Sequence, residues 1–329
     1  MTENLLELRD VSMVFNAGAR QTVALDDYSL TIRAGSASVV TIAGESGSGK
    51  TTLARLVLGF AKPTSGEVLY KGRNIWAMTR SEWQTYRREV QAIFQDPFAV
   101  YNPFYTVDRL LLSPMRSFGL AKSRAQALPQ IEDALSQVGL RAADVLGRYP
   151  HQLSGGQRQR LTVARCLLLK PRLIVADEPV SMIDASLRAT ILDALRKLKE
   201  EHGISLIYIT HDLATAYQIS ERMEILYRGQ SVERGDATAI IQTPSHPYTQ
   251  LLIDSIPLAD PEQTWDSEVE IPTDEAGAGG DRGGCLFRRR CPHAMDICAG
   301  ERPPFYEVGA NRQSACYLYQ NQSTPVLEE

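Results

Sequence analysis

A chain of 329 residues, 43% hydrophobic and 22% charged, can bury one large core with an appendage or two modest cores. Its net charge of −4 argues against a protein whose main surface grips nucleic acid, since that work usually demands a basic face. No apolar run is long enough to span a bilayer, and Pro244, Ser245, His246 and Pro247 break the longest uncharged stretch, Ala237–Ile253, so a membrane role has to come through a partner.

MTENLLELRDVSMVF carries acids and no basic-then-apolar leader, from which a cytosolic chain is expected. LLELRDVSMVF and VALDDYSLTI then alternate as short strands, predicting an N-terminal antiparallel β layer. SVVTIAG, Ser38–Gly44, is a buried apolar run ending in glycine. VQAIFQ from Val90, RLIVADE from Arg172 and ISLIYITH from Ile204 have the same character, with helical patterns such as TTLARLVLGF and LRATILDALRKLKEE between them. Continuously apolar strands alternating with helices predict an α/β fold, a parallel sheet covered on both faces. From about Phe98 the pattern turns helical, PQIEDALSQVGL setting Ile131, Leu135 and Val138 on one face, and a helical insertion is expected over about 98–165. The composition shifts after about Thr243, dividing the chain into 1–243 and 244–329. Pro257–Gly284, with eight acids against the single Arg282, reads as a linker.

GESGSGKT follows the first buried strand and opens a helix, the context a P-loop requires. Gly44, Glu45, Ser46, Gly47, Ser48, Gly49, Lys50, Thr51 and Thr52 would supply backbone N–H groups around phosphate oxygens at a helix N-terminus. Lys50 would reach the β- and γ-phosphates, and Thr51 would offer its hydroxyl to Mg²⁺. LIVADE delivers Asp177 and Glu178 to a strand's C-terminal tip, where ligands of open α/β sheets bind. Asp177 would hold Mg²⁺ through water and Glu178 would polarise the attacking water. LSGGQ ends 20 residues before Asp177 and starts a helix. Ser154 can cap it, while Gly155 and Gly156 expose its first N–H groups, a second anion site beside Gln157. Two phosphate-binding helix ends on one chain suggest that each serves a different nucleotide.

These motifs, in this order over about residues 5–240, resemble the nucleotide-binding subunits of ABC transporters. The resemblance implies a P-loop NTPase core and two subunits facing head to tail around two ATP molecules, the P-loop of one opposite the signature sequence of the other. It implies Phe15 stacked on adenine, Gln95 of AIFQDP touching Mg²⁺ or water, Asp184 of SMIDAS facing the partner's ATP, and His211 of ITHD at the γ-phosphate. SHPYTQLLIDSIP, Ser245–Pro257, is similar to the His-Pro-Tyr segment of the oligopeptide/dipeptide-transporter ATPases. Peptide cargo follows first, with oligosaccharides or nickel as alternatives and a soluble ABC ATPase as a remoter one. The implied partners are a second ATPase subunit, identical or homologous, two transmembrane permease subunits and indirectly a solute-binding protein, with the chain peripheral on the cytoplasmic face of the membrane. Relatives receive the permeases near Phe98–Leu120, where Phe98, Tyr101, Phe104 and Tyr105 could equally be core.

Cys285, Cys291, Cys298 and Cys316 are separated by five, six and seventeen residues, unlike the paired spacing of most zinc fingers. Four thiolates on one metal centre would leave negative charge that Arg288, Arg289 and Arg290 could offset. The resemblance implies a [4Fe–4S] cluster; zinc, free thiols and a minor ligand role for His293 remain open. Such a centre would staple a tail too small to fold on its own core. Cys166, among helically spaced apolar residues, reads as core.

Overall fold

The computed structural model describes residues 4–17, 20–96, 101–256 and 282–326; Phe98 and residues 257–281 of the expected linker lie outside these. The main sheet has eight strands in the order Tyr306–Gly309, Arg312–Ser314, Gln230–Asp236, Arg222–Tyr227, Val39–Ala43, Ser205–Thr210, Leu173–Asp177 and Val90–Ile93. From Arg222–Tyr227 onward the neighbours run parallel; the other three strands join antiparallel.

Every residue of Val39–Ala43 and Ser205–Thr210 is buried, as a parallel sheet covered on both faces requires. Alternate residues serve two cores, because side chains along a strand point to opposite faces. Val40, Ile42, Ile207 and Ile209 pack with Leu53 and Leu56 of the helix Lys50–Val57, and with Leu6, Leu8 and Leu30 of the N-terminal layer. That layer is antiparallel and four-stranded: Arg20–Arg33, Asn4–Ala17, Ser65–Tyr70 and Arg73–Asn74. On the opposite face Val39, Ile174, Leu206 and Tyr208 pack with the helices Asp108–Ser117, Arg124–Gln137, Gly155–Leu168 and Ala185–Glu200. Ile131, Leu135, Val138 and Cys166 are buried there, as their spacing predicts. Among the described residues no helix is long and apolar enough to cross a membrane.

Arg222–Tyr227 and Gln230–Asp236 were hidden from the apolar-run reading because each carries a buried acid. Glu224 accepts a hydrogen bond from the Tyr28 hydroxyl at 2.8 Å, tying the two sheets together. Glu233 accepts from the backbone N–H groups of Ser245 and His246, both at 2.9 Å. Burial raises both carboxyls above their ordinary range.

The tail borrows a core from the rest of the chain. Leu286 and Phe287 pack with Tyr227, Val232, Ile240 and Tyr248, and burying a phenylalanine of this kind stabilises by ~1.5–3 kcal/mol. Arg282 pairs with Asp26 at 3.0 Å and Arg302 with Asp27 at 3.6 Å. Packing and ion pairs thus anchor the tail to the rest of the chain.

Candidate functional site

The strand Val39–Ala43 leads through Gly44–Gly49 into the helix Lys50–Val57. Gly44 and Gly49 have φ of +150° and +111°, and a Cβ on them would lie 2.2 Å from the Leu226 carbonyl oxygen and 2.3 Å from that of Ala24. Only glycine fits at these two positions. Lys50 is 6% exposed, and its Nζ donates to the carbonyls of Gly44 at 2.7 Å and Glu45 at 2.8 Å. Burial lowers its pKa, opposed by the charges of Glu178, Asp177 and Glu45. Phosphate oxygens offer the same ammonium stronger, charged acceptors.

Asp177 closes the strand Leu173–Asp177. Burial raises its carboxyl pKa and the Glu178 charge adds to this, while a hydrogen bond from Thr51 and the charge of Lys50 oppose the rise. A carboxylate and a hydroxyl side by side form the hard oxygen set that Mg²⁺ prefers.

Glu178 has a φ of +47°, a left-handed conformation uncommon outside glycine and asparagine, and its N–H donates to the Ile209 carbonyl at 2.8 Å. The turn aims its carboxylate at two neighbours. Nε2 of Gln95 donates to Oε2 at 2.9 Å, and Nδ1 of His211 lies 2.8 Å from Oε1. Gln95, Glu178 and His211 follow the C-terminal ends of Val90–Ile93, Leu173–Asp177 and Ser205–Thr210, so the parallel sheet itself brings them together.

The LSGGQ segment forms the expected cap. Ser154 Oγ accepts from the Gln157 N–H at 3.2 Å, and Gln157 Oε1 accepts from the Ser154 N–H at 2.9 Å, a reciprocal capping box. A Cβ on Gly156 would press on Leu187 Cδ1 at 2.7 Å, whereas around Gly155 nothing lies within 4 Å. This helix and the one beginning at Lys50 pack on opposite faces of the sheet. Asp184 precedes the helix Ala185–Glu200 without a side-chain cap bond, and Phe15, 41% exposed, sits opposite Thr22 in the N-terminal layer. Tyr101 is partly buried, its hydroxyl donating to the Arg158 carbonyl at 2.7 Å, whereas Phe104 is 84% exposed.

Two residues that sequence reasoning left out of the site reach the P-loop. Tyr248 accepts from the Glu45 N–H through its hydroxyl at 2.8 Å, and Arg290 holds the Glu45 carboxylate with two bonds of 3.0 and 2.9 Å. Arg290 thus serves Glu45, a partner other than the cysteine charge assigned to it from sequence. An acid inside an anion-binding loop was the available signal, because it calls for a cation.

Cys285, Cys291, Cys298 and Cys316 are uncrosslinked and line one cavity with His246 and His293. Burial raises the thiol pKa values of Cys285 and Cys291, and that of Cys316 to about 12, with the other cysteines adding to it. His246 is buried, its Nδ1 accepting from the Tyr248 N–H at 3.0 Å, while its Nε2 has no hydrogen-bond partner. Among the described residues no three His, Cys, Asp or Glu side chains form a group that could hold a metal ion. The four thiols thus share one cavity without forming a metal-holding group there.

Residues 25–181 match the ABC transporter family model, and residues 232–298 match the oligopeptide/dipeptide transporter C-terminal region. YkfD of Bacillus subtilis (strain 168) is 39% identical over 97% of both chains. The oligopeptide transport ATP-binding protein OppF of Escherichia coli (strain K12) is 37% identical, over 90% of this chain and 88% of its own. Among solved structures, a dimeric ATP-binding cassette in a post-hydrolysis state bound to ADP and Pi superposes with a TM-score of 0.62 at 29% identity, covering 70% of this chain and 98% of that one. A P-loop, a glutamate braced by glutamine and histidine, and these likenesses lead to one conclusion: the chain belongs to the ATP-binding subunits of ABC transporters, in the group carrying the oligopeptide/dipeptide transporter C-terminal region.

Proposed function

We propose that this ATPase powers a peptide importer by closing and reopening around two ATP molecules with a second subunit, identical or homologous. The observation that carries the reading is the Glu178 carboxylate held between Gln95 and His211. A carboxylate fixed at both oxygens is set to polarise a water without reorienting during the reaction. Lys50 neutralises the β- and γ-phosphates, Thr51, Asp177 and Gln95 hold Mg²⁺, and His211 contacts the γ-phosphate. Phe15 supplies an exposed ring for adenine. Ser154, Gly155, Gly156, Gln157 and Asp184 serve the partner's ATP, a reading supported by the open space at Gly155 and by the packing of the two helices on opposite faces of the sheet.

Peptide cargo is supported by the C-terminal region model and by the name of OppF. Two permease subunits would carry the peptide across the membrane, with this chain peripheral on the cytoplasmic face and Phe104 exposed on the side expected to meet them. The cysteines would hold a [4Fe–4S] cluster, with zinc as the alternative, and supply a rigid centre to the tail. The test is ATP hydrolysis by the assembled transporter in vesicles with its solute-binding protein. Peptides should stimulate turnover; stimulation only by nickel or an oligosaccharide would reassign the cargo, and no hydrolysis with any of them would overturn the reading.

A further inference from the structure

The Glu45 peptide unit is held from both sides. Its N–H donates to the Tyr248 hydroxyl at 2.8 Å, and its carbonyl accepts from Lys50 Nζ at 2.8 Å. Its carboxylate is forked by Arg290, whose side chain is only 12% exposed. Tyr248 is fully buried, its ring centre 4.5 Å from that of Tyr227 and 5.4 Å from that of Phe287. The Arg290 guanidinium lies over Phe287 at 5.6 Å and Tyr227 at 5.9 Å. The turn after Tyr227 also touches the loop, Gly229 donating to the Ser48 carbonyl at 2.8 Å. Phe287 and Arg290 both lie between Cys285 and Cys291, so one short segment of the tail packs against the phosphate loop.

We propose that Arg290 and Tyr248 are positioning residues for nucleotide binding, through which the cysteine-rich tail sets the charge and geometry of the P-loop at Glu45. An unneutralised carboxylate here repels phosphate and competes with it for Lys50, whose charge already feels Glu45. Arg290 draws that carboxylate away and cancels it, while Tyr248 fixes the backbone beside it. Displacement of the Cys285–Cys291 segment then weakens ATP binding without touching Lys50, Glu178 or His211. The Arg290 and Tyr248 part holds whatever the cysteines carry; the link to Cys291 alone rests on the metal-centre reading.

The experiment is equilibrium binding of ATP and ADP to the full chain, with metal content and protease resistance of the tail measured alongside. Arg290→Gln should weaken ATP binding ~10-fold and ADP binding less, because the effect grows with phosphate charge. Arg290→Lys should recover most of the loss, since a cation is kept. Glu45→Gln combined with Arg290→Gln should bind no more weakly than Glu45→Gln alone, and Cys291→Ser should add nothing in the Arg290→Gln background. If Arg290→Gln does not fold, Tyr248→Phe, which removes one hydroxyl, should still weaken ATP ~3-fold. Parent-like affinity in both Arg290→Gln and Tyr248→Phe, or a double variant in which the losses of Glu45→Gln and Arg290→Gln simply add, overturns the proposal. An additive Cys291→Ser loss overturns the link to the cysteines.

Discussion

His211 sets Nδ1 2.8 Å from Oε1 of Glu178, and neither side chain could adopt this relation without the two adjacent parallel strands that end beneath them. The pairing gives the carboxylate one orientation and leaves the other imidazole nitrogen out of that contact. Glu178→Gln should keep ATP affinity but hydrolyse at least ~100-fold more slowly, since the amide cannot accept the water's proton. The variant should accumulate as an ATP-bound dimer. Turnover near that of the parent, in a transporter with the partner's site disabled, would remove Glu178 from its role.

Ser154→Arg loses the cap of Gly155–Leu168 and, on the proposed head-to-tail arrangement, places a bulky cation at the docking point of the partner's γ-phosphate. Nucleotide binding to the chain's own P-loop should persist while cooperative hydrolysis disappears. Loss of ATP affinity in the isolated subunit, with dimer closure surviving, would refute the head-to-tail arrangement.

His246 is buried and neutral, its pKa lowered to about 3 by desolvation. Since the unfolded chain protonates this ring near pH 6.5, the unfolded state binds more protons between the two values, and the folded state loses stability as pH falls through that window. His246→Asn keeps a capping acceptor for the Tyr248 N–H without a titrating ring. Denaturant unfolding should show the parent losing ~2 kcal/mol relative to this variant between pH 7 and pH 5. Parallel stability curves over that range would show that the ring is solvated or already charged.

On the proposed cluster reading, protein prepared without oxygen should absorb broadly near ~400 nm and contain about four iron atoms per chain. Cys285→Ser, Cys291→Ser, Cys298→Ser and Cys316→Ser should each lose the colour, because these four thiols share one cavity. Cys166→Ser should retain it, since that thiol is buried elsewhere against the Ala92 carbonyl. Stoichiometric zinc without iron would favour the zinc alternative.

The strands Val39–Ala43, Leu173–Asp177 and Ser205–Thr210 were legible because burial on both faces demands unbroken apolar runs, and the P-loop, Glu178 and His211 were legible because they follow those runs directly. Arg222–Tyr227 was not, because Glu224 looks like a surface residue until Tyr28, 196 positions away, supplies its partner. The same limit hid Arg290. Its position among arginines and cysteines pointed to local charge balance, whereas its partner Glu45 lies 245 residues earlier. Local patterns report periodicity and turns; they do not report which distant charge a buried guanidinium meets.

Arg312–Ser314 pairs with Gln230–Asp236 through Glu233–Ser314, Arg234–Gln313 and Gly235–Arg312, so the last segment of the chain supplies the outer rungs of the ATPase sheet. Cutting the chain after the helix Pro247–Asp254 would leave those amides and carbonyls unpaired, with the rings of Tyr227 and Tyr248 uncovered where Phe287 had sat. A bare strand edge beside an apolar patch recruits another copy of itself. The shortened protein would clump into insoluble material, so its silence in an assay would report aggregation and say nothing about catalysis.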